Sequence, residues 1–172
     1  MQASPDYRKC EEKAEEVLKR YKIDSPWVNV FSIAKKEGIN IEYRNFSGSE
    51  RFKDVSGFLL ATKEPRTIYL NIDDQPNRRT FTVAHELGHY FLGHDPDEYG
   101  MYMRNGWQGS GGKPDIEREA DCFAANLLMP KQMFEDIKLP RKTIGRIPQV
   151  LAQLFGVSTE AMRHRLKTLK YR

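Results

Sequence analysis

Two histidines four residues apart, His85 and His89, enclose a glutamate, Glu86, in the pattern His-Glu-x-x-His. On a helix, residues four apart lie one above the other on the same face, so both imidazoles could bind one metal ion. Glu86 would lie to the side, where its carboxylate could take a proton from water and later give it to a leaving amine. The spacing therefore predicts a zinc hydrolase site with two ligands and a general base.

The residues around the motif have the pattern of an amphipathic helix. From about residue 77 to residue 92, apolar residues recur at helical spacing: Phe81, Ala84, Leu87, Gly88 and Phe91. Pro76 is typical of a first helical turn, and Gly93 of a helix end. Gly88 inside a helix costs about 1 kcal/mol relative to alanine, so we expect another backbone to pass close to it. The alternative interpretation is a pair of surface histidines with no metal.

A catalytic zinc usually has three protein ligands and one open position, so the sequence must supply another ligand. The candidates that follow the motif are His94, Asp95, Glu117, Glu119, Asp121 and Cys122. His94 follows His89 too closely, beyond Gly93, and does not fit the HExxHxxGxxH spacing of the metzincins. We therefore do not favour His94 as a ligand.

Residues 114–128 are predicted to form a second helix, which carries most of the remaining candidates. Its expected buried stripe is Ile116, Ala120, Phe123, Ala124 and Leu127, with Glu117 and Glu119 on opposite flanks. Asp121, four residues after Glu117, could hydrogen-bond a ligating imidazole. This arrangement favours Glu117 as the ligand but leaves Glu119 open. At least one of the two glutamates is expected to belong to an ordinary charged flank.

Composition and charge describe the chain as a whole. With 172 residues, 39% hydrophobic and 30% charged, it is typical of one compact soluble domain, with room for a small appendage. We expect no membrane span and no signal peptide, and Cys10 and Cys122 do not form a disulfide framework, so a cytoplasmic location is predicted. The net charge of +4 is concentrated after Lys138. We interpret this excess as a solvated basic face rather than a nucleic-acid site.

The remaining pattern predicts an α+β fold. Two N-terminal helices are expected to begin at Ser4-Pro5 and Ser25-Pro26, the second ending at Gly38. Three short strands over residues 39–43, 55–61 and 67–71 predict a small antiparallel sheet. The long stretch of residues 93–113, rich in aromatic residues and glycine, is either a lid over a cleft or a disordered loop.

The C-terminal end is predicted to form two helices, over residues 148–155 and 159–170. Gly156 at the turn and Ser158 as the next helix cap make this pair similar to a helix-turn-helix. The basic residues that would lie on the exposed side of the second helix and could meet phosphates are Arg163, His164, Arg165 and Lys167. We favour packing or a protein partner over DNA contact for this pair.

Two segments resemble the ImmA/IrrE family of zinc metallopeptidases: residues 81–89, with the sequence FTVAHELGH, and residues 117–130, with the sequence EREADCFAANLLMP. The resemblance implies a bacterial or phage-encoded cytoplasmic peptidase, set beside a repressor that it cleaves or otherwise inactivates. It implies one Zn²⁺ per chain held by His85, His89 and Glu117, with Glu86 as catalytic base. The gluzincin-like Glu-x-x-Ala-Asp pattern makes Asp121 similar to an acid that supports a ligating histidine.

Together these observations predict a zincin-like peptidase core in residues 1–138, with an HExxH active-site helix, and a helix-turn-helix-like segment in residues 139–172. The predicted function is a zinc endopeptidase that cleaves a cytoplasmic protein, a helix-turn-helix repressor encoded nearby. The alternative is a non-catalytic regulatory protein that binds a repressor or DNA through its basic C-terminal helices. Candidate donors to the reaction's oxyanion are Tyr90, Tyr99, Tyr102 and His94, among which the spacing does not choose.

Overall fold

The computed structural model describes residues 4–50, 52, 54–62, 64–96, 100–103, 114–135, 137 and 147–170. The helices in these ranges are α1 (Tyr7–Arg20), α2 (Val30–Lys36), α3 (Pro76–Leu92), α4 (Asp115–Leu128), α5 (Lys131–Glu135), α6 (Ile147–Phe155) and α7 (Thr159–Thr168). The strands are β1 (Asn40–Arg44), β2 (Gly57–Leu60), β3 (Thr67–Asn71) and β4 (Met101–Met103), in the sheet order β1-β3-β2-β4. The protein is therefore a mixed α+β structure.

The two N-terminal helices begin later than the sequence predicts. The side chain of Asp6 caps α1 by accepting a hydrogen bond from the Lys9 backbone N–H, and the side chain of Asn29 caps α2 in the same way. The predicted start of α2 at Ser25-Pro26 is wrong. Trp27 has φ 71°, in the left-handed region, so no helix can run through it from Ser25.

The sheet is mixed rather than antiparallel. Strand β2 pairs antiparallel with both β3 and β4, as predicted for this sheet, but β1 pairs parallel with β3, with Asn40 opposite Thr67. Strand β2 lies between β1 and β3 in the sequence but not in the sheet. No tight turn therefore joins β1 to β3, and the two can pair in parallel. Strand β4 lies in the stretch predicted as a lid or a loop. Residues 97–99 and 104–113 of that stretch, which include Tyr99, lie outside the described residues.

Helices α3 and α4 form the centre of the molecule and pack directly against each other. A Cβ atom on Gly88 would lie 3.1 Å from both Cα and O of Ala120, which confirms the expected close backbone approach. The interior of α3 from Thr82 to His89 is buried, so its histidines are not on the surface. Ile116 is 44% exposed, which contradicts its predicted place in the buried stripe. Ile116 lies in the first turn of α4, before Glu119, the residue at which the N-terminal end of α1 meets this helix.

Helices α6 and α7 pack against the same core as α3 and α4. Gly156, with φ 68°, ends α6, and the Ser158 hydroxyl caps α7. The rings of Phe155 and Phe134 stack with their centroids 4.8 Å apart. The predicted exposure of Arg165 is wrong: it is 6% exposed and donates hydrogen bonds to α4 and the residue after it. No helix in the described ranges has the length and apolar character that a membrane crossing requires.

Candidate metal centre

Helices α3 and α4 bring two imidazoles and a carboxylate together. Among the described residues, His85, His89 and Glu117 form a group that could hold a metal ion. The two Nε2 atoms lie 3.1 Å apart. Oε2 of Glu117 lies 3.3 Å from Nε2 of His85, and Oε1 lies 3.1 Å from Nε2 of His89. Helix periodicity favours Glu117 over Glu119, the family resemblance implies these three residues as ligands, and the fold brings their side chains together.

His85 is oriented by a carboxylate on α4. Its Nδ1 lies 2.9 Å from Oδ1 of Asp121, one helical turn beyond Glu117. A carboxylate accepts hydrogen bonds, so Nδ1 carries the proton and Nε2 presents its lone pair to the other two groups. Asp121 therefore has the position that the sequence predicts for a residue supporting a ligating histidine.

His89 is oriented differently, through a second histidine. Its Nδ1 lies 2.9 Å from Nδ1 of His94, whose Nε2 lies 2.9 Å from Oε2 of Glu119. The side chains of His94 and Glu119 are 6% and 15% exposed. The expectation that one of the two glutamates on α4 belongs to an ordinary charged flank is therefore wrong, because both reach this centre.

His85, His89 and Glu117 fit a metal ion, because their lone pairs of electrons point toward one another. With protons on both Nδ1 atoms, the Nε2 atoms of His85 and His89 face each other and Glu117 as acceptors. Oε2 of Glu117 is buried and has no hydrogen bond of normal geometry. Ligand atoms about 2.0–2.1 Å from a tetrahedral ion lie about 3.3 Å from one another, close to the measured separations. A cation among them would replace this repulsion with attraction.

The pKa values of the three groups follow from burial opposed by hydrogen bonding. Burial lowers the pKa of His89 to about 4. Burial acts on His85 in the same direction, but its hydrogen bonds to Asp121 and Glu117 and the charge of Glu86 together raise its pKa. Burial would raise the pKa of Glu117, yet the hydrogen bonds that both histidines can donate in their protonated form lower it strongly. Glu117 is thus held as a carboxylate, the form that binds metals.

Glu86 is completely buried beside His85 and is held by the sheet. Its Oε2 accepts a hydrogen bond of 3.0 Å from the backbone N–H of Leu59 in β2. This contact fixes the orientation of the carboxylate. It could not be predicted from the sequence, because neither the motif nor the strand pattern indicates which backbone N–H meets Glu86.

Two of the four candidate oxyanion donors are engaged elsewhere. The Tyr90 hydroxyl donates to Oε2 of Glu37 at 3.0 Å, and both ring nitrogens of His94 lie in hydrogen bonds with His89 and Glu119. Tyr99 and the side chain of Tyr102 lie outside the described part of the protein.

Comparison with known proteins also indicates a metallopeptidase. Residues 34–167 match the model of the IrrE N-terminal-like domain, peptidase family M78. The chain is also 30% identical over 103 residues to the radiation response metalloprotease IrrE of Deinococcus deserti. That match covers 60% of this chain and 36% of the relative, so the chain spans little more than a third of the relative's length. Because the family model covers most of the sequence, this chain belongs to the ImmA/IrrE family of metallopeptidases.

Proposed function

We propose that this chain is a zinc-dependent endopeptidase that holds one Zn²⁺ through His85, His89 and Glu117. The observation that carries the proposal is the convergence of two imidazole Nε2 atoms and one carboxylate within 3.1–3.3 Å in a buried site. Two nitrogens and one oxygen are the ligand set of several catalytic zinc sites, which keep one position open for water or substrate. Membership of a metallopeptidase family supports the same function.

A zinc ion bound there would supply Lewis acidity, which acidifies water and polarises a peptide carbonyl. Glu86 takes the proton of the attacking water on its carboxylate as the new C–O bond forms. The same proton passes to the nitrogen of the leaving amine as the peptide C–N bond breaks, so Glu86 ends the cycle ionised. Asp121 keeps the proton of His85 on Nδ1, and the Leu59 N–H keeps Glu86 in one orientation.

We propose a cytoplasmic protein as substrate, most specifically a helix-turn-helix repressor encoded near the gene for this chain. The support is the family membership, together with the resemblance of residues 81–89 and 117–130 to peptidases set beside such repressors. The relative in D. deserti carries the name of a radiation response metalloprotease, which supports a protein as the substrate.

We also propose that residues 1–138 form a zincin-like peptidase domain and that residues 139–172 form a helix-turn-helix-like segment seated on it. Support for the seating comes from Arg165 in α7, which donates to the Met129 carbonyl at 2.9 Å and to Oδ1 of Asn126 at 2.7 Å. Phe155 of α6 stacks on Phe134. The segment then supports the domain that carries the site.

The variant Glu86→Gln tests the enzyme proposal. The amide cannot accept the proton of the attacking water, so we expect cleavage to fall by at least about 100-fold while zinc content stays unchanged. New protein N-termini are compared by mass spectrometry between cells that express the wild-type chain and cells that express the variant. Glu64→Gln, a change at an exposed residue whose carboxylate pairs with Arg66, is the matched control. An identical set of N-termini in the wild-type and Glu86→Gln cells would overturn the peptidase proposal.

A non-catalytic regulator is the second candidate function, and one observation favours it. Arg163, His164 and Lys167 are exposed on α7, where they could meet DNA or an acidic partner. This candidate predicts that charge reversal at Arg163 and Lys167 abolishes regulation while Glu86→Gln leaves it intact. The peptidase proposal predicts the opposite pair of results. Arg165 is unsuitable for this test, since it is buried and its reversal would disturb the packing of α7.

A further inference from the structure

A chain of hydrogen bonds runs from the metal centre to the N-terminal end of α1. Nδ1 of His89 meets Nδ1 of His94 at 2.9 Å, and Nε2 of His94 meets Oε2 of Glu119 at 2.9 Å. The other oxygen of Glu119, Oε1, accepts a hydrogen bond of 2.7 Å from the backbone N–H of Asp6. Asp6 is the capping residue of α1, which lies outside the residues matched to the family model.

The direction of each hydrogen bond follows from the donor at the far end. The Asp6 N–H can only donate, and the carboxylate of Glu119 accepts from it and from Nε2 of His94. A neutral His94 with its proton on Nε2 has a lone pair on Nδ1, which accepts the Nδ1 proton of His89. His89 is then left with its lone pair on Nε2, the atom that faces His85 and Glu117.

The local backbone explains how His94 reaches this position. Gly93 ends α3 with φ 69°, and the N–H of His94 donates to the carbonyl of His89 at 3.1 Å, the pattern of a Schellman helix end. This turn folds the side chain of His94 back beside His89. Lys9 of α1 also reaches this end of α3, with its Nζ 3.3 Å from the carbonyl oxygen of Leu92.

The two histidines of the motif therefore have unequal support. Asp121 contacts His85 directly, whereas the carboxylate of Glu119 acts on His89 only through His94. Burial of the His94 and Glu119 side chains shields these bonds from water, which strengthens their hold on the imidazole.

We propose that His94 and Glu119 are positioning residues for His89, and that α1 anchors them through the Asp6 N–H. They fix the tautomer and ring orientation in which His89 offers Nε2 to the metal, so the N-terminal helix contributes to metal affinity. This inference rests on the metal site of the proposed function, but not on the reaction catalysed there. A purely structural role for the same bonds would affect folding and leave the properties of the bound metal unchanged.

The first test measures zinc affinity by competition with a chromophoric chelator, using the full chain. Loss of such supporting contacts typically weakens metal binding by about 10- to 100-fold, and we expect this range for His94→Phe. We expect about a tenfold loss for Glu119→Gln, because His94 and Asp6 donate to different oxygens of Glu119 and the amide replaces one of these oxygens with an NH₂ group. Asp115→Asn, a change at a partly exposed residue in the first turn of the same helix, is the matched control and should bind zinc as the wild type does.

Rescue by a smaller residue separates positioning from simple packing. In His94→Asn the side-chain oxygen can still accept from Nδ1 of His89 but loses the connection to Glu119. We expect its zinc affinity to lie between those of the wild type and His94→Phe. An Asn variant weaker than the Phe variant would contradict the role of His94 as an acceptor for His89.

The visible spectrum of the Co²⁺-loaded chain reports directly on the geometry of the ligands. We expect altered band positions in His94→Phe and Glu119→Gln, and the wild-type spectrum in Asp115→Asn. For the metal-free chain, ¹⁵N–¹H correlation spectra of the imidazoles should show the proton of His89 on Nδ1. These readouts remain valid if His94→Phe folds poorly, since Glu119→Gln changes a more peripheral group.

The contribution of α1 is tested by comparing Asp6→Pro with Asp6→Ala. Both variants remove the side-chain cap of α1, but only proline also removes the backbone N–H that donates a hydrogen bond to Glu119. Proline can occupy this position, because the φ of −87° at Asp6 is near its range. We expect weaker zinc binding in Asp6→Pro than in Asp6→Ala.

Wild-type zinc affinity and Co²⁺ spectra in both His94→Phe and Glu119→Gln would overturn the inference. Reduced affinity in these variants, with no cleavage dependent on Glu86, would uphold the inference and reject the peptidase proposal. Cleavage that depends on Glu86, with unchanged metal binding in His94→Phe and Glu119→Gln, would uphold the peptidase proposal and reject the inference. A wild-type chain that binds no zinc would overturn both.

Discussion

At the scale of single residues, the two histidines of the centre have opposite pKa shifts although both are buried. Burial lowers the pKa of His89 to about 4, and the charges of His85 and His94 act in the same direction, although the hydrogen bond and charge of Glu117 oppose them. His85 overcomes the same burial through Asp121, Glu117 and Glu86, and its pKa rises. In the metal-free protein, His89 is therefore neutral at pH 7, the form that binds zinc.

The lowered pKa of His89 predicts how the stability of the metal-free protein depends on pH. Between the unfolded value of 6.5 and the folded value of about 4, the unfolded chain binds more protons, so stability falls as the pH falls. The raised pKa of His85 acts in the other window: its contribution is complete below 6.5 and is lost as the pH rises above it.

We therefore expect the free energy of unfolding of the metal-free chain to fall by about 2 kcal/mol between pH 6.5 and about pH 5, as measured by urea titration. The variant His89→Phe should show a smaller slope. Some slope should remain, because burial also lowers the pKa of His94. Equal slopes in the variant and the wild type would show that His89 titrates normally in the folded protein.

At the scale of secondary structure elements, the separation of α3 and α4 determines whether the ligands meet. Glu117 is on one helix and both histidines are on the other, and the helices approach through Gly88 and Ala120. A side chain at Gly88 would hold the helices apart by a few tenths of an ångström. The site therefore depends on a residue that contacts no ligand atom.

The variant Gly88→Ala should lose stability and metal affinity together. Alanine gains about 1 kcal/mol of helix propensity, but its Cβ would lie 3.1 Å from the backbone of Ala120 and 3.2 Å from Cδ1 of Phe123. We expect a net destabilisation of about 1–2 kcal/mol in urea unfolding and weaker zinc binding, since α4 carries Glu117. Gly48→Ala, with no atom within 4 Å of the new Cβ, should change neither. A Gly88→Ala variant as stable as the wild type, with the same zinc affinity, would contradict this account.

Local periodicity predicts α3 and α4 to within one residue at each end. Both the apolar stripe and the helix-end residues Pro76, Gly93 and Pro114 can be recognised from nearby sequence alone. The same periodicity brings Glu117 and Asp121 to the face of α4 that meets His85. The sequence does not predict strand β4, because three residues give too short a pattern and its partner β2 is distant in sequence.

At the scale of the whole molecule, elements distant in sequence decide which polar residues are buried. Arg165 has the sequence pattern of a surface residue, yet the end of α4 covers it and supplies two acceptors. His94 and Glu119 meet beside His89 because the turn at Gly93 folds His94 back toward α4, and the N-terminal end of α1 adds the Asp6 N–H as a further donor to Glu119. Neither outcome can be derived from periodicity, which describes one element at a time.

The central claim is that His85, His89 and Glu117 hold one zinc ion. Elemental mass spectrometry of the full chain, purified without chelator, tests it most directly when the wild type is compared with Glu117→Gln and Glu64→Gln. We predict about one zinc per chain in the wild type and in the Glu64 variant, and close to none in the Glu117 variant. Equal zinc in all three proteins, or no zinc in the wild type even after reconstitution, would contradict the account.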